Sequence, residues 1–149
     1  MNRARAALAG ILLALAPVLG LGQGGAGAGR DGAGSIDVLQ IVNRLRGSGC
    51  AASAGPATPL QGREALSQAA RLVARGFDLE DALKQAHYRA NKSFLLALRG
   101  FDSPGALANT LDAKYCAHLL NPQYTDFGLF QQRAYVWLVL AAPFAAPPP

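Results

Sequence analysis

The sequence predicts an α+β fold, a small three-stranded antiparallel sheet packed with about four helices. Three observations predict it. Apolar residues recur at helical spacing in three segments before residue 87 and in one after residue 103. The short apolar run at residues 92–99 closes at Gly100. Near the C-terminus, Tyr124 to Phe130 and Ala134 to Ala142 are rich in aromatic and β-branched residues, with Gln131-Gln132 between them as the joint of a hairpin. The order is three helices, strand, helix, hairpin, and packing helices on one small sheet is its economical arrangement.

Each element has its own local reason. The first helix starts at Ser35, a good N-cap, with Asp37 in its first turn. Ile36, Leu39, Val42 and Leu45 recur every three residues and mark its apolar face, and Gly47 and Gly49 stop it. Residues 51–58 are small, polar and interrupted by proline, and read as a loop. The second helix runs from about Arg63 to Arg75, with the stripe Leu66, Ala69, Ala70 and Val73 and with Gly76 just past its end. A short third helix begins at Asp78, with Asp81 at the position where a capping partner sits. Its inward residues are Leu79, Ala82, Leu83 and Ala86. Residues 92–99 could extend a helix by propensity, but their short length and Gly100 favour a buried strand. Ser103-Pro104 opens the fourth helix in the favoured order, a capping serine and then proline at the first helical position. Leu107, Leu111, Tyr115 and His118 then share a face.

The 149 residues suit one domain, and the N-terminus stands apart from it. Arg3 and Arg5 precede an uncharged Leu/Ala-rich run from Ala7 to Leu21, interrupted by Pro17, and small residues follow at Gly20, Gly22, Ala26 and Ala28. That is the layout of a secretory signal peptide over residues 1–22, with cleavage expected near Gly22. The run falls short of the roughly 18 to 20 residues a membrane span needs, so no span is expected after cleavage. No cysteine sits just after the apolar core, so a lipoprotein anchor is unsupported. Residues 23–34 read as a Gly/Ala-rich linker, 35–144 as the folded domain and 145–149 as a Pro-rich tail. The expected location is secreted or periplasmic.

The net charge is +5, and setting aside Arg3, Arg5, Arg30 and Asp31 leaves about +3 on the domain. The basic residues are scattered among acidic ones, which excludes the one-sided footprint that nucleic-acid binding needs. Cys50 and Cys116 are the sole cysteines, and in an exported chain an even count implies a disulfide. Its loop of about 65 residues corresponds to roughly 4 kcal/mol on the chain-entropy argument. The alternative is two separate thiols. Against a reactive one, no His or Lys stands beside Cys50, and His118 is two positions from Cys116, on another helical face.

Several segments together resemble the CAP superfamily, which includes cysteine-rich secretory proteins and plant pathogenesis-related proteins. Asn43-Arg44-Leu45-Arg46 looks like the first-helix Asn-x-x-Arg pattern. Pro59-Leu60 with Leu66 and Ala69-Ala70 looks like the Pro-Leu and Leu-x-x-Ala-Ala segment, and His87-Tyr88-Arg89-Ala90 like the Gly-Tyr segment before the middle strand. Leu120-Asn121-Pro122, Tyr124-Thr125 and Gly128 resemble the bacterial Leu-Asn-Pro-x-Phe-Thr-x-x-Gly stretch, and Tyr135 and Trp137 the aromatic last strand. The resemblance spans about Val38 to Pro143 and implies an α-β-α sandwich. Many members carry two His and two Glu around a central cavity, sometimes with a divalent metal. Here Tyr115 stands at the late His position, Asn91-Lys92 where Glu-Asn is expected, and no His follows helix two at the place the family uses. The two glutamates, Glu64 and Glu80, lie on predicted helices. The resemblance therefore implies a divergent bacterial type without the tetrad.

A zinc site needs three or four convergent ligands, so no metal and no other cofactor is expected. No Gly-x-Ser-x-Gly elbow supports a hydrolase nucleophile, and Gly22 to Gly34 lacks the ending of a phosphate loop. His87, Tyr88, Tyr115 and His118 are the candidate cavity-lining residues. For His118 and His87 the competing reading is a cation at a helix end; for Tyr135 and Trp137 it is packing within the sheet. The function expected is an exported, monomeric, non-catalytic binding module for a small hydrophobic ligand or a cell-envelope component. The alternatives are a hydrolase or metal-dependent enzyme using His87 and His118 with a carboxylate such as Asp112, and a purely structural periplasmic domain.

Overall fold

The computed structural model describes residues 37–50 and 55–145. The expected signal peptide and linker, the expected cap at Ser35 and all of the expected tail but Ala145 lie outside those residues. Helix α1 spans Val38–Ser48, and Asp37 caps it by accepting a hydrogen bond from the Gln40 amide at 3.0 Å. Its buried residues are Val38, Ile41, Val42 and Arg46. The expected three-residue repeat is therefore corrected: a period near 3.6 rotates Leu39 and Leu45 to the edge of the buried face, where both are half-buried.

Helices α2 (Glu64–Ala74) and α3 (Leu79–Gln85) follow the expected pattern, with Leu66, Ala69 and Ala70 buried on α2 and Ala82 and Leu83 on α3. The Asp78 carboxylate accepts from the Asp81 amide at 2.9 Å and fixes the start of α3. Helix α4 spans Pro104–Leu119, and Ser103 accepts from the Ala106 amide at 3.2 Å. It buries Leu107, Leu111 and Leu119, so its inward face turns away from His118, which is exposed.

The sheet has four strands and is mixed, which corrects the expected three antiparallel strands. The order is β1-β3-β4-β2, for β1 (Gln61–Gly62), β2 (Ala90–Arg99), β3 (Asp126–Gln132) and β4 (Tyr135–Pro143). Both β2 and β3 run antiparallel to β4, while β1 pairs in parallel with β3 at Gln61↔Asp126 and Gly62↔Phe127. The added strand is two residues long, too short to carry a period. It exists because the Gln61 amide donates to Thr125 O at 2.9 Å and the Arg63 amide to Phe127 O at 2.8 Å. The hairpin joint also moves. Gln131 and Gln132 belong to β3, paired with Val136 and Tyr135, and the turn is Arg133-Ala134 with Arg133 at φ 54°.

Alternation along the strands sends side chains to two layers. Leu96, Leu98, Leu138 and Leu140 pack with α1 and α4, whereas Val139 and Ala141 pack with α2 and α3. The result is an α-β-α sandwich. Gly128 allows α2 to lie directly on β3, because a Cβ there would collide with the backbone of Leu66. We expect Gly128→Ala to cost about 1–3 kcal/mol, as forced overpacking does. Urea titration followed by circular dichroism checks it, and a loss below about 0.5 kcal/mol would mean that α2 shifts freely.

Candidate functional site

The most connected polar cluster is built on the start of β3. Asp126 is 3% exposed and opens β3 ahead of the apolar residues Phe127 to Phe130. An isolated carboxylate there would be costly, so it requires partners. Its Oδ2 accepts from Arg63 Nε at 3.0 Å and from the Tyr88 hydroxyl at 2.9 Å. Its Oδ1 accepts from Thr125 Oγ1 at 3.3 Å. The short pairing of β1 with β3 places Arg63 here, directly after Gly62, and Tyr88 arrives from the turn between α3 and β2. Burial and then the hydrogen bond to Asp126 push the Tyr88 phenol well above its usual pKa. It is a neutral donor at ordinary pH and holds its proton. The cluster thus ties α3 to β3 and offers no free base.

The other candidates lie elsewhere. His87 is exposed in the turn after α3, at φ 55°, with its amide donating to Lys84 O at 3.1 Å. Tyr115 is half-buried on α4 against the α1 side of the core. His118, one turn later, stacks on Phe94 with ring centroids 3.9 Å apart and planes at 10°. Tyr88 packs on the α2/α3 face of the sheet and Tyr115 on the opposite face. The geometry therefore joins Tyr88 to Asp126 and Arg63, and His118 to Phe94, rather than joining all four.

Cys50 and Cys116 form the disulfide, with Cα atoms 5.9 Å apart. With Asp112 they make the single cluster of three potential metal ligands among the described residues, within 4.8 Å of one another. Both sulfurs are consumed in the bond, so the cluster as it stands lacks the thiolates that a metal needs.

A groove of about 620 Å³ opens between α3 and the start of β2. Leu79, Leu83, Tyr88 and Phe144 supply its apolar surface, and Glu80, Lys84, Arg89 and Lys92 are the charged residues of its lining. The Arg89 guanidinium lies 5.0 Å above the Phe144 ring, and Lys92 Nζ donates to Gln123 Oε1 at 2.8 Å. Lys84 is already paired with Glu80 at 2.8 Å. Reading the sequence located Tyr88 but missed Asp126, Arg63 and Phe144. The available signal was an acidic residue opening an apolar strand.

No protein-family model matches the chain, and no curated protein matches it. Among solved structures, a cysteine-rich secretory protein from Staphylococcus aureus subsp. aureus Mu50 is similar, with TM-score 0.56 and 17% identity over 72% of this chain. So is an extracellular protein containing a SCP domain from Bacillus anthracis str. Ames, with TM-score 0.54 and 16% identity over 68% of this chain. The match spans 37% and 39% of those two proteins. At these identities the likeness is one of architecture, and on it this chain has the fold of SCP, or CAP, domains.

Proposed function

We propose that the chain is an exported, non-catalytic binding module whose ligand is a small, largely apolar molecule bearing an acidic group. The groove between α3 and β2 carries this reading. Its volume of about 620 Å³ is in the range of small-molecule sites, and its apolar residues beside Arg89 and Lys92, with Glu80 already paired to Lys84, suit such an amphiphile. Export is supported by the basic start and apolar run before residue 22, by the disulfide, and by the secretory and extracellular descriptions of the two similar proteins. On this reading residues 1–22 are removed, 23–34 form a linker, and the mature protein works as a monomer outside the cytoplasm. The closed Tyr88–Asp126–Arg63 cluster and the separation of His87 from Tyr115 and His118 favour binding over acid-base chemistry.

Dodecanoate is a suitable probe. Calorimetric titration should show one-to-one binding in the range of about 1–100 µM. Arg89→Gln with Lys92→Gln, at exposed positions, should weaken it about tenfold, and Phe144→Ala should weaken it as well. Absence of saturable heat below about 1 mM, or binding that ignores these changes, would remove the groove from consideration.

A further inference from the structure

Beyond the ends of α2 and α3, the sheet face they cover continues into the open. The register defines its last two rows. Ala97, Trp137 and Phe130 lie side by side across β2, β4 and β3, and Arg99, Tyr135 and Gln132 form the row at the hairpin end. Trp137 and Phe130 are half-buried, Ala97 is exposed and Tyr135 is 43% exposed. The Tyr135 and Trp137 rings have centroids 5.6 Å apart and planes at 19°, while Phe130 continues the array 5.8 Å from Trp137 at 33°. The small side chain of Ala97 leaves Trp137 open on its β2 side. Beside the rings a cleft of about 290 Å³ runs between Gln132, Arg133, Tyr135 and Trp137. Arg133 lines it and Arg99 stands opposite Tyr135 in the register, and neither is in an ion pair among the described residues.

We propose that this face binds a carboxylated saccharide, one pyranose ring lying on Tyr135 and Trp137. A pyranose has a C–H face and a polar rim. The C–H groups meet the electron-rich faces of the aromatic rings. The rim hydroxyls meet the Gln132 amide, and a carboxylate meets the guanidinium of Arg99 or Arg133, the side chain best shaped for it. An aliphatic chain would leave these polar groups without partners. A nucleic-acid strand would need a basic track, and the chain's cations are scattered. The face lies at the hairpin end of the sheet and does not depend on the groove by α3.

Trp137 is the single tryptophan of the chain, so its emission reports on this face alone. Trigalacturonate titrated into the full chain should change that emission saturably, with a midpoint below about 1 mM. Neutral cellotriose should bind about tenfold more weakly. Tyr135→Ala should weaken trigalacturonate about tenfold or more, and Arg99→Gln with Arg133→Gln should bring it down to the level of cellotriose. All three positions are exposed, so the variants should keep the parent's circular dichroism. No saturable change up to about 10 mM, or a change indifferent to Tyr135→Ala, would overturn the proposal. So would tighter binding of oligothymidylate, or an emission change that follows protein concentration together with dimer formation in sedimentation.

Discussion

Replacing Arg46 by methionine is expected to lower stability by about 3–5 kcal/mol, the range seen when a buried charged network loses a partner. Arg46 sits in the last turn of α1 and is wholly buried. Its Nε donates to Thr58 O at 2.7 Å, Nη1 to Leu119 O and to Asn121 O at 3.4 Å, and Nη2 to Tyr124 O at 3.1 Å. No carboxylate pairs with it among the described residues, so the charge is held by backbone dipoles. Two of these acceptors close α4 and its Asn121-Pro122 turn, where the helix presents its negative end. Burial lowers the guanidinium pKa from its usual value, yet it starts so high that the group stays charged at neutral pH. Methionine matches the stem but leaves several inward carbonyls without donors, at about 1–3 kcal/mol each before relaxation. Arg46→Lys keeps the charge and loses the planar fork, so a smaller loss is expected. Urea unfolding read by Trp137 emission checks both. A loss under about 1 kcal/mol for Arg46→Met would mean that water replaces the guanidinium.

That clamp shows where reading the sequence succeeds and where it stops. Asn43 and Arg46 were visible as a pattern, but their work was not. Asn43 bonds the Leu60 backbone in both directions, at 2.7 and 3.1 Å, and Arg46 gathers four carbonyls from two distant segments. A charged residue on a helix reads as solvated until its tertiary neighbours are known. The caps at Asp78 and Ser103 and the stripe on α2 were legible, because each depends on residues within one or two turns. Strand β1 was not, because two residues carry no period and the strand exists through β3 alone. Among the candidate site residues, the placement of Tyr115 and His118 one turn apart on α4 followed from spacing. Which side of the sheet α4 would cover did not. That choice puts Tyr88 with Asp126 and leaves His118 against Phe94. The preference for a strand at residues 92–99 held, because every residue from Ser93 to Arg99 finds a partner on β4.

Breaking the Cys50–Cys116 bond is expected to lower stability by about 4 kcal/mol. The bond joins residues 66 apart in sequence, so the reduced unfolded chain regains the freedom of a long loop. A typical domain has about 5–15 kcal/mol in total, so the reduced protein should sit close to its unfolding threshold. The double variant Cys50→Ser, Cys116→Ser should match the reduced parent in urea titration and should not respond to reductant. Two cysteines open to alkylation in the native, unreduced protein would refute the bond itself. Arg46 adds a further expectation, because it and Cys50 are four residues apart and both fasten the end of α1 to α4. With either tie cut, the other still holds the two helices together. With both cut, the end of α1 can separate and admit water to the carbonyls at the end of α4. Neighbouring ties of this kind couple by about 0.5–3 kcal/mol. Reducing the Arg46→Met variant should therefore cost more than the two separate losses combined. Simple additivity in that cycle would show that the bond acts on the unfolded chain alone, and that the guanidinium holds the helix end without its help.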